Sequence, residues 1–213
     1  MPTQTYTAFA NPAHKTQVQN AFKDVSVLLG KADSTLNKLL TNDSSINGKV
    51  EDARFTTWFG PPTAANLTVV KNFVHTILRQ LSGQNTTLTN VPTSNTVAYM
   101  IPLAGQNFGT QALNYTDAQA PAIVPTPTIY IGRGFYTAPL LGKDSQVGTI
   151  IHELSHIVCS AEDVPNPAGG AYPDGFLDTY GETNCKWLAT NHSAQALHNA
   201  DNYLFYCCSF NLQ

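Results

Sequence analysis

Charge is scarce in this chain of 213 residues: Asp, Glu, Lys and Arg together make up 12% of it, about half the usual share. No basic run accompanies the formal charge of −3, which argues against nucleic acid and against an anionic membrane surface as partners. No apolar run approaches the roughly 20 residues that cross a bilayer. The opening Met1-Pro-Thr-Gln-Thr-Tyr6 has neither the basic nor the apolar region of a secretory leader. Cysteine is limited to Cys159, Cys185, Cys207 and Cys208, without a Cys-x-x-Cys spacing, so a cysteine zinc site is not expected. A bridge between the adjacent Cys207 and Cys208 would be strained, which leaves two pairings with Cys159 and Cys185, or buried free thiols.

What is abundant is Ser, Thr, Asn and Gln, which must supply the polar surface. Sequons begin at Asn42, Asn66, Asn85, Asn114 and Asn191, and together with the absent leader they suggest a secreted protein in mature form or one exported without a cleaved signal. No linker divides the chain. One domain over 1–213 is expected, with a helical and sheet part to about residue 159 and a C-terminal part beyond it.

Periodicity places the elements. Val18, Phe22, Val25, Leu28, Leu29, Leu36, Leu39 and Leu40 recur at helical spacing from about Lys15, interrupted near Gly30, which predicts two helices or one broken one. The cluster Asn42 to Gly48 reads as a loop. A second helix is expected from about Ala64 to Leu81, with Gly83 as its stop. Residues 1–14 read as an extended lead-in. Thr96 to Pro102 and Thr128 to Ile131 read as strands, with Ala120 to Pro127 as a Pro-rich loop between them. Asp144 or Ser145 is a plausible N-cap for a helix to about Cys159. Pro and Gly residues forbid a long element over 160–181, and two helices, from about Glu182 and about Ser193, close the chain. The order is α+β, a helical lobe and small sheet packed on one central helix, with C-terminal helices behind it.

That central helix carries the chemistry. In Thr149-Ile-Ile-His-Glu-Leu-Ser-His-Ile-Val158, His152 and His156 stand four apart and so share one helix face. Two imidazoles can then meet at one point, with Glu153 about 100° further round the helix. This suits one catalytic zinc, held by two neutral imidazoles, with Glu153 as general base toward a water attacking a peptide carbonyl. The bland alternative is an amphipathic helix with two satisfied core histidines. A catalytic zinc also needs a third protein ligand. In a His-x-x-Gly-x-x-ligand pattern, Cys159 would stand at the glycine and Glu162 at the ligand, so the helix is expected to run on and the ligand to come later. Glu162, Asp163, Asp174, Asp178, Glu182, His192 and His198 all remain candidates.

Several blocks resemble one known family. Arg54-Phe-Thr-Thr-Trp-Phe-Gly60, Thr128-Ile-Tyr-Ile-Gly-Arg-Gly-Phe-Tyr-Thr-Ala-Pro139, Gly142 through the His-Glu-x-x-His segment, Tyr180-Gly181 and Asn199-Ala-Asp-Asn-Tyr203 are similar, in the same order, to the aspzincin metalloendopeptidases. These include the deuterolysins and the peptidyl-Lys metalloendopeptidases. The resemblance implies a zincin-like fold and a zinc endopeptidase acting on proteins or peptides. It also implies His152, His156 and Asp178 as ligands, Glu153 as general base and Tyr180 as oxyanion stabiliser.

The family's loop, Gly-Thr-x-Asp-x-x-Tyr-Gly, fits Gly175-Phe-Leu-Asp178 only with one residue missing before Tyr180, and Asp174 is held in reserve. Asp201 is implied as a substrate-binding acid, with Leu204 where lysine-specific members have a second one; its other reading is a capping or bonding role within the helix pair. The expectation is therefore at most a mild preference for Lys or Arg after the cleaved bond. The other possibility is a zinc-binding homologue of weakened activity, acting as a binding or toxin-like module. A monomer is expected, with no nucleic-acid or membrane partner.

Overall fold

The computed structural model describes residues 4–83, 86–100, 127–142 and 144–210. Its first helix, α1 (Pro12–Leu40), is unbroken. Gly30 costs only about 1 kcal/mol in a helix interior, and the buried stripe Val18, Phe22, Val25, Leu28, Leu29, Ala32 and Leu36 carries the helix past it. Asn11 caps its start, accepting from the Ala13 amide, and Pro12 sits in the first turn, where a missing N–H costs nothing. Helix α2 (Gly48–Phe59), which periodicity did not reveal, has only three buried side chains: Phe55, Trp58 and Phe59. Helix α3 (Ala64–Gly83) follows as expected and packs along α1.

Four short strands form one sheet in the order β1-β2-β4-β3: β1 (Thr5–Thr7), β2 (Thr87–Val91), β3 (Ala98–Met100) and β4 (Thr128–Gly132). β1 lies in the supposed lead-in, paired parallel to β2, which is parallel to β4, and β3, antiparallel to β4, is the far edge among the described residues. The expected loop 120–126 and the end of the Thr96 strand, Ile101 and Pro102, lie outside the described residues. Gly132 lies so close to the backbone of Thr96 that a Cβ there would overlap its carbonyl oxygen. That close approach seats the residues leading into β3.

Helix α4 (Gln146–Cys159) is buried along nearly its whole length between α1, α3 and α7. Ser145 caps it, accepting from the Gly148 amide at 3.0 Å. A Cβ on Gly148 would fall 3.1 Å from Leu204 Cγ and 2.6 Å from Ser145 Oγ, so this glycine lets α4 and α7 meet. Helices α5 (Gly181–Asn191), α6 (Ser193–Ala196) and α7 (Ala200–Cys208) complete the chain. All four thiols are free, three of them buried.

The two outer blocks of the family resemblance are structural fastenings. Arg54 donates to the Ser209 carbonyl at 2.8 Å and lies 4.1 Å over the Phe210 ring. Trp58 stacks on Phe205, and its carbonyl accepts from Asn202. Asn199 bonds Asn202 and receives the Val164 amide. This polar knot ties α2 and α7 to the loop beyond α4.

Candidate active site

His152 and His156 meet edge to face on α4, with ring centroids 4.5 Å apart and their Nε2 atoms 2.9 Å apart. Their other nitrogens are held by acceptors. His152 Nδ1 lies 2.7 Å from Asp201 Oδ1, and His156 Nδ1 lies 2.7 Å from the Ala161 carbonyl. A carbonyl and a carboxylate can only accept, so both Nδ1 atoms carry hydrogen, and neutral rings would face each other with two Nε2 lone pairs. Such a pair calls for positive charge between them. Burial works against an imidazolium at His152, but the Asp201 hydrogen bond and the charges of Asp201, Glu153 and Asp163 outweigh it and hold the ring at about 9.

The helix runs three residues past this pair, to the expected end. It ends at Cys159, where Ser160 takes the left-handed conformation (φ 54°) and its amide and that of Ala161 return to the carbonyls of His156 and Ser155. This turn, one residue after the pattern's glycine position at Cys159, is made by serine, which takes the left-handed conformation at a cost of roughly 1–2 kcal/mol. It brings Ala161 back onto His156 and delivers Asp163 to the site. Asp163 Oδ1 lies 3.5 Å from each Nε2, and the three ligand atoms fall within 4.8 Å of one another. That oxygen is buried without a hydrogen-bond partner, while Oδ2 accepts from the Tyr180 hydroxyl at 2.6 Å. Burial alone would raise the Asp163 carboxyl. The His156 interaction and the two imidazole charges prevail and hold it below the ordinary range. Two imidazole nitrogens and one carboxylate oxygen are a donor set that suits zinc.

Asp178, expected as the third ligand, is not brought to the histidine pair; the carboxylate that is brought there is Asp163. Residues 164–179 form an excursion closed at its neck. Pro165 bridges Asp178, Asn166 N donates to the Leu177 carbonyl, and Thr179 N donates to Val164. Asp178 belongs to that neck and does not line the cleft. The reserve candidate Asp174 accepts from Asn184 at 2.6 Å and from the Phe176 amide, so it shapes the excursion's own turn. Sequence spacing misled because Asp163 and Tyr180 are neighbours in space on either side of sixteen residues, 164–179. The usable signal was that Asp163 comes within four residues of the helix end at Cys159.

Asp201 lines the cleft, and both of its oxygens have partners within the protein. It is buried, with Oδ1 on His152 and Oδ2 receiving the Gly181 amide at 2.8 Å. Glu153 and Tyr180 do line the cleft, a cavity of about 890 Å³. Glu153 is 7% exposed. Burial raises its carboxyl above the usual value, partly offset by the two histidines and the Met100 amide. Five carboxylates, from Asp144, Glu153, Glu162, Asp163 and Asp201, line this cleft, with no Lys or Arg among the described lining residues. The site thus favours a cation on charge as well as on geometry.

A helix-borne histidine pair, a carboxylate across from it and a second carboxylate in the same cleft are a set of groups found in metal-dependent hydrolases. The model of one such family, described as lysine-specific metallo-endopeptidase, matches residues 45–208. The chain belongs to that family. It is 28% identical over 177 residues to a peptidyl-Lys metalloendopeptidase of Armillaria mellea, covering 82% of this chain and 39% of that protein. To an extracellular protease of Aeromonas hydrophila it is 36% identical over 80 residues, covering 37% of this chain and 19% of that protein. The chain therefore spans well under half the length of both relatives. Its fold is that of a zinc peptidase from Grifola frondosa, with a TM-score of 0.63 at 21% identity over 93% of this chain and 96% of the other.

Proposed function

We propose that this chain is a secreted zinc endopeptidase holding one zinc through His152, His156 and Asp163. The observation that carries this is Asp163 Oδ1, buried and 3.5 Å from each of two Nε2 atoms whose rings are pinned from behind. Zinc, when bound, supplies a Lewis acid that acidifies a water and polarises a peptide carbonyl. Glu153, steadied by the Met100 amide, takes the proton from the attacking water and passes it to the leaving amine. Tyr180, 39% exposed at the cleft, turns its one hydroxyl proton from Asp163 Oδ2 to the substrate oxygen where negative charge develops. Asp201 acts through His152 as a positioning residue, fixing its tautomer and ring orientation. Casein should be cleaved by the zinc-loaded chain, cleavage should stop with a chelator and return with one equivalent of zinc. Absence of cleavage at one bound zinc per chain would refute the peptidase reading.

An extended substrate could pair with a free strand edge, but β4, the strand that leads toward the active helix, lies between β2 and β3 and has none. β3 takes that place in the proposal. Gly132 N bonds the Val97 carbonyl opposite it, so by antiparallel alternation Tyr99 also faces β4, while the backbone groups of Ala98 and Met100 face away from it. The Met100 amide meets Glu153 there, leaving Ala98 to pair with substrate backbone. Ala98→Pro deletes only an outward N–H, which an edge strand tolerates. It should lower kcat/KM up to about tenfold at an unchanged melting temperature. Unchanged kcat/KM would mean that the substrate does not pair at Ala98.

A further inference from the structure

We propose that Phe176 is a specificity-determining residue, forming one wall of a subsite that selects a large apolar side chain on the substrate. This rests on the peptidase reading and adds to it the class of side chain recognised. Phe176 lines the cleft that holds His152, Glu153 and Tyr180, yet it is 53% exposed. An exposed ring at a cleft mouth is ordinary where the backbone beneath it is loose, but here the backbone is held on every side. The Phe176 amide donates to Asp174 Oδ1, its carbonyl accepts from the Tyr172 amide at 2.7 Å, and Gly175 N returns to the Tyr172 carbonyl at 2.8 Å. Gly175 makes the turn at φ 92°, a conformation in which a side chain would be strained.

The turn itself stands on a small core of its own. Tyr172 is buried against Trp187 and packs with Val164, Leu188, Ala189 and Ala196, while Asp174 is tied to Asn184. The excursion therefore presents a large aromatic surface at a fixed place, at little entropic cost on binding. Across the same cleft lie Val97, Met100 and Leu204. A substrate strand laid along β3 turns alternate side chains to opposite faces, and the one directed at the excursion meets Phe176. Its partner of choice is apolar: the ring has no charge to offer, and water now covering it would be released. Leu177, next in the chain and 67% exposed, does not line the cleft and serves as the control.

The test separates recognition from chemistry by using the zinc-loaded Glu153→Gln protein and fluorescence anisotropy. Labelled extended peptides, identical except at one position set to Ala, Leu, Phe, Lys or Asp, are titrated with each position scanned in turn. At one position Leu and Phe should bind about tenfold tighter than Ala. Phe176→Ala should abolish that preference, Phe176→Leu should largely keep it, and Leu177→Ala should leave it intact. A preference that survives Phe176→Ala, a preference for Lys at that position, or no measurable binding of any peptide would overturn the proposal. Failure of the peptidase reading shows differently, as an apolar preference in anisotropy from a chain that, with Glu153 intact, cleaves no casein.

Discussion

Asp163→Asn should weaken zinc binding by more than about 100-fold, whereas Asp178→Asn and Asp174→Asn should leave it within about twofold of the parent. Asn keeps the size of the side chain and an oxygen acceptor for Tyr180, but removes the anion that faces both imidazoles at 3.5 Å. Without a carboxylate there, the site keeps two nitrogen donors and loses the ligand that neutralises half of the metal's charge. Asp201→Asn belongs between these extremes. It spares all three ligands but weakens the hold on His152 Nδ1, and an outer partner of that kind is worth about 10–100-fold in affinity. Competition against a chromophoric chelator at neutral pH ranks the four variants directly. If Asp178→Asn released the metal while Asp163→Asn retained it, the assignment made from the closed neck at Pro165 and Asp178 would be wrong.

The parts of this molecule legible in its sequence are those where local pattern and tertiary outcome coincide. The apolar stripes of α1 and α3 and the histidine pair of α4 are set by helical spacing, and burial then reinforces the same choice. Strands β1 and β2 were not legible, because Thr5–Thr7 and Thr87–Val91 contain few apolar residues and form only through pairing with distant partners. α2 was hidden for a related reason, since a helix with three buried side chains has little period to display.

At the site, the sequence gives distance along the chain and the chemistry uses distance through space. Asp163 lies seven positions after His156 by residue number and reaches it through a left-handed turn at Ser160, which residue preference would assign to glycine. Tyr180 reaches the same carboxylate only because the intervening excursion closes on itself. Asp201, 49 residues from His152, is an acid whose role depends on where its two oxygens end up, and both face inward. Composition and spacing alone could equally have offered it to a substrate.

Glu153→Gln should keep the metal and lose the reaction, with kcat falling by a factor of about 10² or more at full zinc occupancy. The side chain is buried, and the Met100 amide donates to it. A glutamine oxygen can accept that same bond, so the substitution leaves the packing of α4 and the edge of β3 in place. What it removes is a group able to hold a proton between the attacking water and the leaving amine. Burial has already raised this carboxyl, bringing it closer to the pKa that suits a base at neutral pH. Titrating zinc into the variants separates the roles without recourse to structure. Excess zinc should restore part of the activity of Asp163→Asn, whose defect is occupancy, and none of the activity of Glu153→Gln, whose defect lies in proton transfer. Measured on a quenched peptide with metal content determined in the same samples, near-parental kcat in Glu153→Gln would remove Glu153 from the mechanism.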